Sequence, residues 1–360
     1  ARSRIFFVEK GWCISLCECW WAGDTALAVM QGMSTVGYVE CRLDSANDLA
    51  ALLSALTLRE KDQKDQRVLC EASENGLKFI AQSAGKDVAV LGWIFKDAFR
   101  QYTFDGGGLE NMHLKLPVAP LLSCLTIFSD RAALQLRYPV NGSNELRFTL
   151  EEDGAVTECR LRTLVLDEVP MPISPFLAPG ERPTVFTCKQ HEAWYLALSE
   201  FTELDGPDVV LRVTLQGVQE ASASDAPAVV LRARTISADA EVELPRSALD
   251  LLDLGGDASQ VGEVTHSYLL SSVLAGCLKA AKECKAVKVR FNQDGVMSNQ
   301  FIMRGRGQTL FCEALVCPIA DPQAAGMTAQ SLPAGRSPYG LSGTQGADSQ
   351  RAAADQSIGF

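Results

Sequence analysis

Residues 37–58 read GYVECRLDSANDLAALLSALTL, and two different patterns follow one another within them. Gly37 to Leu43 reads as a strand. From Asn47 to Leu58, Leu49, Leu52, Leu53 and Leu56 fall at i, i+3, i+4 and i+7, the apolar stripe of an amphipathic helix that Ser45 or Asn47 can cap. Beyond the helix come Val68 to Ala72, the pair Asn75-Gly76, Leu77 to Ala81 and Val88 to Ile94. This is a strand-turn-strand pattern in which the Asn-Gly pair supplies the positive φ of a tight turn.

The same order recurs three times. Met112, Leu114 and Leu116 alternate with His113 and Lys115 before Pro117, which opens a helix where a missing N–H does no harm. That helix carries Val118, Leu121, Leu122 and Leu125, and strands follow at Ala132 to Tyr138, Glu145 to Leu150 and Val156 to Leu161. A third copy runs from Thr184 to Cys188 through a helix with Trp194, Ala197, Leu198 and Phe201. Its strands are Val209 to Leu215, Val229 to Thr235 and Ala240 to Leu244, with a polar insert around Gln219 to Pro227. The fourth opens at Glu263 to His266, continues in a helix with Leu270, Val273, Leu274 and Cys277, and ends in strands at Ala286 to Asn292, Val296 to Met303 and Thr309 to Val316. The unit recurs roughly every seventy residues, longer than common solenoid repeats, and two units make a domain.

Between the second and third units, Pro170, Pro172, Pro175, Pro179 and Pro183 exclude both helix interior and central strand. The division expected is therefore a first domain at 36–163, an interdomain connector at 164–183 and a second domain at 184–320. Residues 321–360 are Ala-, Gly-, Ser- and Gln-rich, a composition that cannot offset the entropy of ordering, and are expected to be disordered. Residues 1–35, with Trp12, Trp20, Trp21 and three cysteines, show no period. The native start is expected near Met30 or Met33.

Of 360 residues, 47% are apolar and 21% charged, which is the composition of a chain with a sizeable core. The net charge of -11 excludes a surface coated in basic patches, so any contact with nucleic acid must be local. The 12 cysteines have no framework spacing and read as reduced thiols. No apolar run is long enough for a membrane span.

The strand and helix order, the connector, and three local motifs resemble the eukaryotic sliding-clamp fold, and within it the Rad-one family of the heterotrimeric 9-1-1 checkpoint clamp. The motifs are Leu121 to Phe128 (LLSCLTIF), Phe148 to Cys159 (FTLEEDGAVTEC) and Leu310 to Ile319 (LFCEALVCPI). The resemblance spans residues 36–319. It implies an α+β, PCNA-like clamp fold of two similar domains, each of two helix-plus-strands units. It further implies a nuclear protein in a ring with two other clamp subunits, placed by a clamp loader on double-stranded DNA without regard to sequence, and serving repair and checkpoint proteins. The homotrimeric replication clamp shares the fold.

A clamp needs cations facing its hole. Lys279 and Lys282 share a stripe with Ser272 and Ala275, opposite Val273, Leu274 and Cys277. With Lys285, Lys189 and Arg131 they are the DNA-facing candidates, the plain alternative being the solvated face of an amphipathic helix. By the same resemblance Leu164, Leu166, Pro318 and Ile319 are candidates for a partner-peptide pocket. Leu136 to Tyr138 and Val229 to Thr235 are candidates for joining subunits edge to edge.

Catalysis is not expected. A 3'-5' exonuclease would need clustered carboxylates, and the richest acidic run, Glu151-Glu152-Asp153, sits at a turn where solvated acids are common. His113, His191 and His266 are scattered over three units, without zinc spacing. No Gly-rich run ends in Gly-Lys-Ser/Thr, so neither metal nor nucleotide cofactor is expected, and ATP use is left to a loader.

Overall fold

The computed structural model describes residues 2–6, 37–58, 66–128, 131–139, 143–166, 180–204, 206, 208–217, 226–255, 262–305 and 309–319. The expectations for Met30, Met33, the insert near 219–225, most of the connector and the tail at 321–360 fall outside these residues.

After β1 (Arg2–Phe6), the first unit comprises β2 (Tyr38–Leu43), α1 (Ala46–Ala55), β3 (Arg67–Ser73), β4 (Gly76–Gln82), β5 (Val88–Phe95) and β6 (Gln101–Asp105). The second comprises β7 (Asn111–Pro117), α2 (Val118–Leu125), β8 (Ala133–Tyr138), β9 (Glu145–Glu152) and β10 (Ala155–Arg162). The third holds β11 (Thr184–Cys188), α3 (His191–Ser199), β12 (Val210–Gln216), β13 (Pro227–Arg234), β14 (Asp239–Pro245) and β15 (Leu249–Asp253). The fourth holds β16 (Glu263–Leu269), α4 (Leu270–Glu283), β17 (Cys284–Phe291), β18 (Met297–Arg304) and β19 (Thr309–Val316).

The α+β reading with four repeated units holds, and the local reasons hold with it. Val39, Cys41 and Leu43 alternate into the core, and Leu49, Leu52, Leu53 and Leu56 are all buried on one side of α1. Gly76 adopts φ +128 at the β3–β4 turn, where a Cβ would come within 2.2 Å of the Ile94 carbonyl oxygen, so only glycine fits. Ser45 stands at the N-cap of α1 but makes no capping bond with its side chain. Sequence periodicity misses β6 and β15. Each is a short strand that follows a single 3-10 turn, Lys96–Ala98 or Arg246–Ala248.

The strands form three sheets, in the orders β1-β10-β9-β8-β2-β6, β15-β11-β17-β18-β19-β5-β4-β3-β7 and β14-β13-β12-β16. The nine-stranded sheet contains strands from both halves of the chain, because β19 pairs antiparallel with β5. The described residues up to Ile319 are therefore one compact unit rather than two separate bodies. The helices pack in one layer against the sheets in the order α2, α1, α4, α3, and α4 lies over the β5–β19 seam.

Two expectations about edges are corrected. Leu136 to Tyr138 lie in β8, held between β2 and β9, and Val229 to Arg234 lie in β13, held between β12 and β14. Val229 to Leu231 are buried in succession, which marks an interior strand, whereas β8 alternates buried Leu134 and Leu136 with exposed Gln135 and Arg137 and is interior because both its edges are paired. An edge strand protects its unpaired backbone with charge. Among the sheet ends, β14 is open among the described residues, and Arg2–Phe6 runs parallel along β10.

Candidate nucleic-acid face and assembly edges

A nucleic-acid surface on this fold would lie on the solvent side of the helix layer, where the sequence supplies few charges. Helix α1 contains one charged residue, Asp48, which is buried, and α2 contains none. Helix α3 contains Glu192, and α4 contains Lys279, Lys282 and Glu283. Cations are thus concentrated on α4 and just beyond it.

The five candidates are not equivalent. Lys282 is exposed in the last turn of α4, where a cation also suits the negative end of the helix dipole. Lys285 is exposed at a register shift between Cys284 and Ala286, and such an irregularity re-aims a side chain. Lys279 is half-buried, and its ammonium donates to the Thr57 hydroxyl just past the end of α1. Lys189 is exposed before α3, its backbone N–H donating to the Ala248 carbonyl at 2.9 Å. Arg131 is exposed between α2 and β8.

Ser272 does not share an open stripe with these lysines. It is buried, and its hydroxyl donates to the Asp87 carboxylate. The reason is packing: α4 touches α3, α1, β5, β18 and β19 and so has a narrower solvent face than an isolated amphipathic helix. Asp87 also accepts from the Ser83 hydroxyl at 2.6 Å. Burial raises its pKa, but the two hydroxyls and backbone N–H groups outweigh burial and hold the carboxyl below its usual value. Sequence reading missed this latch between the β4–β5 turn and α4, since an aspartate after Gly85-Lys86 looks like an ordinary turn residue.

The proposed peptide-pocket residues fall into two places. The Leu164 N–H donates to the Lys115 carbonyl at 2.8 Å on β7, and Leu166 is exposed two residues later. Pro318 and Ile319 follow β19, where the Cys317 N–H donates to Asp87 O and the Ile319 N–H to Ser267 O, both at 2.8 Å. Strands β3, β4 and β5 separate β7 from β19. Four strand spacings are about 19 Å, so Leu164 does not meet Pro318. Residues 167–179, which continue from Leu166, lie outside the described residues.

The acidic run ends β9 and enters its hairpin turn at Asp153. Asp153 takes φ 48 beside Gly154, and Glu151 reaches Arg42 at 3.7 Å. Among the described residues no group of three or more His, Cys, Asp or Glu is placed to hold a metal ion. None of the nine described cysteines is in a disulfide, and all but Cys317 are buried.

Along β14 and β10, outward side chains are charged. On β14 these are Asp239, Glu241 and Glu243, all exposed. Arg232 of β13 forms a two-pronged ion pair with Glu241, and Arg234 pairs with Asp239, its Nε lying 2.9 Å from the carboxylate. On β10, half-buried Glu158 and Arg160 are 2.9 Å apart, and Arg162 is exposed.

A family model described as "Repair protein Rad1/Rec1/Rad17" matches residues 39–303. No curated protein matches the chain. Among solved structures, a chain of the PCNA2-PCNA3 complex from Sulfolobus tokodaii is similar, with a TM-score of 0.59 at 13% identity over 78% of this chain and 100% of that one. At that identity the likeness concerns the fold, which is PCNA-like.

Proposed function

The chain belongs to the Rad1/Rec1/Rad17 family of repair proteins, and from that premise we propose that it is one subunit of a heterotrimeric ring of the 9-1-1 checkpoint type. The ring encircles double-stranded DNA without reading its sequence and presents repair and checkpoint proteins at the site of damage. It works in the nucleus, is placed on DNA by a loader that supplies the ATP chemistry, and is a binding protein rather than an enzyme.

The observation that carries this reading is the β5–β19 seam. Within one chain, the last strand of the second domain extends the sheet of the first. The first domain ends in β10, the counterpart of β19, and the second domain carries β14, the counterpart of β5, at the rim of its own sheet. Two different edges at opposite ends make a head-to-tail joint, and repetition of such a joint closes into a ring when the rotation allows. The similar archaeal structure is a complex of two differently named chains, in keeping with unlike neighbours. A homotrimer would use the same edges and is the second reading. A nuclease would need clustered carboxylates, and the acidic run at 151–153 ends β9 and enters its hairpin turn.

Retention on circular DNA tests the reading. The full chain, combined with two candidate clamp subunits and a loader, is expected to stay on nicked circular DNA in high salt and to leave when one cut linearises it. Equal retention before and after the cut would mean surface binding, not encirclement.

A further inference from the structure

On the face of the six-stranded sheet that turns away from the helices, one row of side chains is unusual. Glu40 of β2 lies opposite Arg137 of β8, Arg137 opposite Arg147 of β9, and Arg147 opposite Arg160 of β10. Three neighbouring strands thus place arginine at directly facing positions, within about 10 Å across two strand spacings. Like charges directly across an antiparallel pair oppose it, and this row sits in a chain whose net charge is -11.

The three guanidiniums are not equally satisfied. Arg160 is held by Glu158 through two contacts of 2.9 Å. Arg147 lies 3.9 Å from Glu158, beyond hydrogen-bond reach, and its Nε is buried with no hydrogen-bond partner. Arg137 is exposed, makes no ion pair among the described residues, and lies over the Tyr38 ring at 5.6 Å from the ring centre. Its neighbour Glu40 already accepts from the Tyr38 hydroxyl and the Gln135 amide. A partly desolvated guanidinium that no carboxylate binds has the most to gain from an arriving oxyanion.

We propose that Arg137 and Arg147, with Arg160 beside them, form a seat for a phosphate monoester carried by a phosphoserine or phosphothreonine of a partner protein. Such a group brings close to two negative charges and three acceptor oxygens, enough for guanidiniums from two strands, whereas a carboxylate brings one charge and two oxygens. In the next row Gln135 and Thr149 lie opposite each other and offer uncharged polar groups to a peptide backbone. Exposed Asp105 and Glu151 flank the seat and oppose a second phosphate, which disfavours a nucleic-acid backbone.

Phosphorus NMR titration of the full chain tests the seat, with an acetylated and amidated Gly-Gly-phosphoserine-Gly-Gly peptide as the probe. The unsubstituted chain is expected to bind it saturably, and the unphosphorylated peptide is expected not to compete. Arg137→Gln and Arg147→Gln are each expected to weaken binding about tenfold or more, and Lys285→Ala, at an exposed cation on another sheet, to leave it unchanged. Because Arg147→Gln relieves the facing charges, its melting temperature is expected to stay level or rise, a combination that loss of the fold would not produce. Should that variant unfold, Arg137→Gln, at an exposed position, decides. Binding that survives Arg137→Gln, or that falls equally with Lys285→Ala, overturns the seat. Inorganic phosphate that binds as tightly as the peptide overturns the peptide partner, and a short DNA duplex without terminal phosphates that displaces the peptide assigns the row to nucleic acid instead. One chain carries the whole site, so these results are independent of ring assembly.

Discussion

Trp93 of β5 and Phe311 of β19 lie directly opposite each other across the seam that joins the two halves of the chain, ring centroids 5.3 Å apart and planes tilted by 51°. This pairing is made by residues more than two hundred positions apart, and it sits on the one ladder that turns two similar domains into a continuous nine-stranded sheet. Phe311→Ala is expected to lower stability by about 2 kcal/mol, combining reduced burial of a partly exposed ring with removal of the aromatic pair. The urea midpoint measures it. Hydrogen exchange is expected to speed up in β5 and β19 before β8 and β9.

Helix α4 crosses the same seam closely because residue 276 has no side chain. A Cβ there would stand 2.9 Å from Val88 Cγ1 and 3.7 Å from the Ala314 Cβ. Gly276→Leu is expected to cost on the order of 3 kcal/mol through overpacking, more than any helix-propensity gain returns. Gly276→Ala is expected to cost much less, since a single methyl needs only a small shift of Val88. Thermal melts of the two variants give the comparison.

Asp87 ties the β4–β5 turn to α4 through Ser272, and its folded pKa lies below that of the free side chain. The sign follows from linkage: a depressed carboxyl contributes stability that is present above its unfolded pKa and is lost as pH falls through the folded value. The unsubstituted chain is expected to lose more stability between about pH 5 and pH 3 than Asp87→Asn does. Parallel slopes for the two proteins in denaturant titrations across that window would contradict the latch.

Lys282 in the last turn of α4 and Lys285 at the start of β17 are exposed, whereas Lys279 already bridges to Thr57. Lys282→Ala with Lys285→Ala is expected to flatten the salt dependence of ring retention on DNA, the slope falling by about one unit for each phosphate that is no longer neutralised. Adding Lys279→Ala is expected to affect stability more than the slope. Unchanged retention in the triple variant would remove α4 from the DNA face.

Strand Arg2–Phe6 occupies the β10 edge in a five-residue parallel ladder. In the proposed ring, joining at that edge would require its release, and parallel pairing is the weaker kind per residue. Arg4→Pro with Ile5→Pro, which removes ladder donors, is expected to raise the affinity of the full chain for the subunit that pairs with β10. Titration calorimetry reads the change.

Much of the fold was legible because each unit announces itself locally. Leu49, Leu52, Leu53 and Leu56 mark a helix and Asn75-Gly76 a turn, and neither needs a distant partner. The strand Thr184–Cys188 and the strand Thr309–Val316 fall where periodicity puts them. What escaped was set by tertiary pairing. Gln101–Asp105 and Leu249–Asp253 are short strands defined by neighbours far along the chain. Edge and interior strands were exchanged, since Leu136 and Val229 look sticky in sequence yet are already paired on both sides. The basic stripe of α4 was readable as far as Lys282. The burial of Ser272 was not, because it depends on Asp87, 185 positions away.

The most direct test of the central claim is the mass in solution, by light scattering, of the full chain alone and mixed with two candidate clamp subunits from the same source. A ring of one copy each, formed only in the mixture, is the result the account predicts. A homotrimer of this chain alone would move it to the replication type, and a monomer in both samples would contradict the assembly.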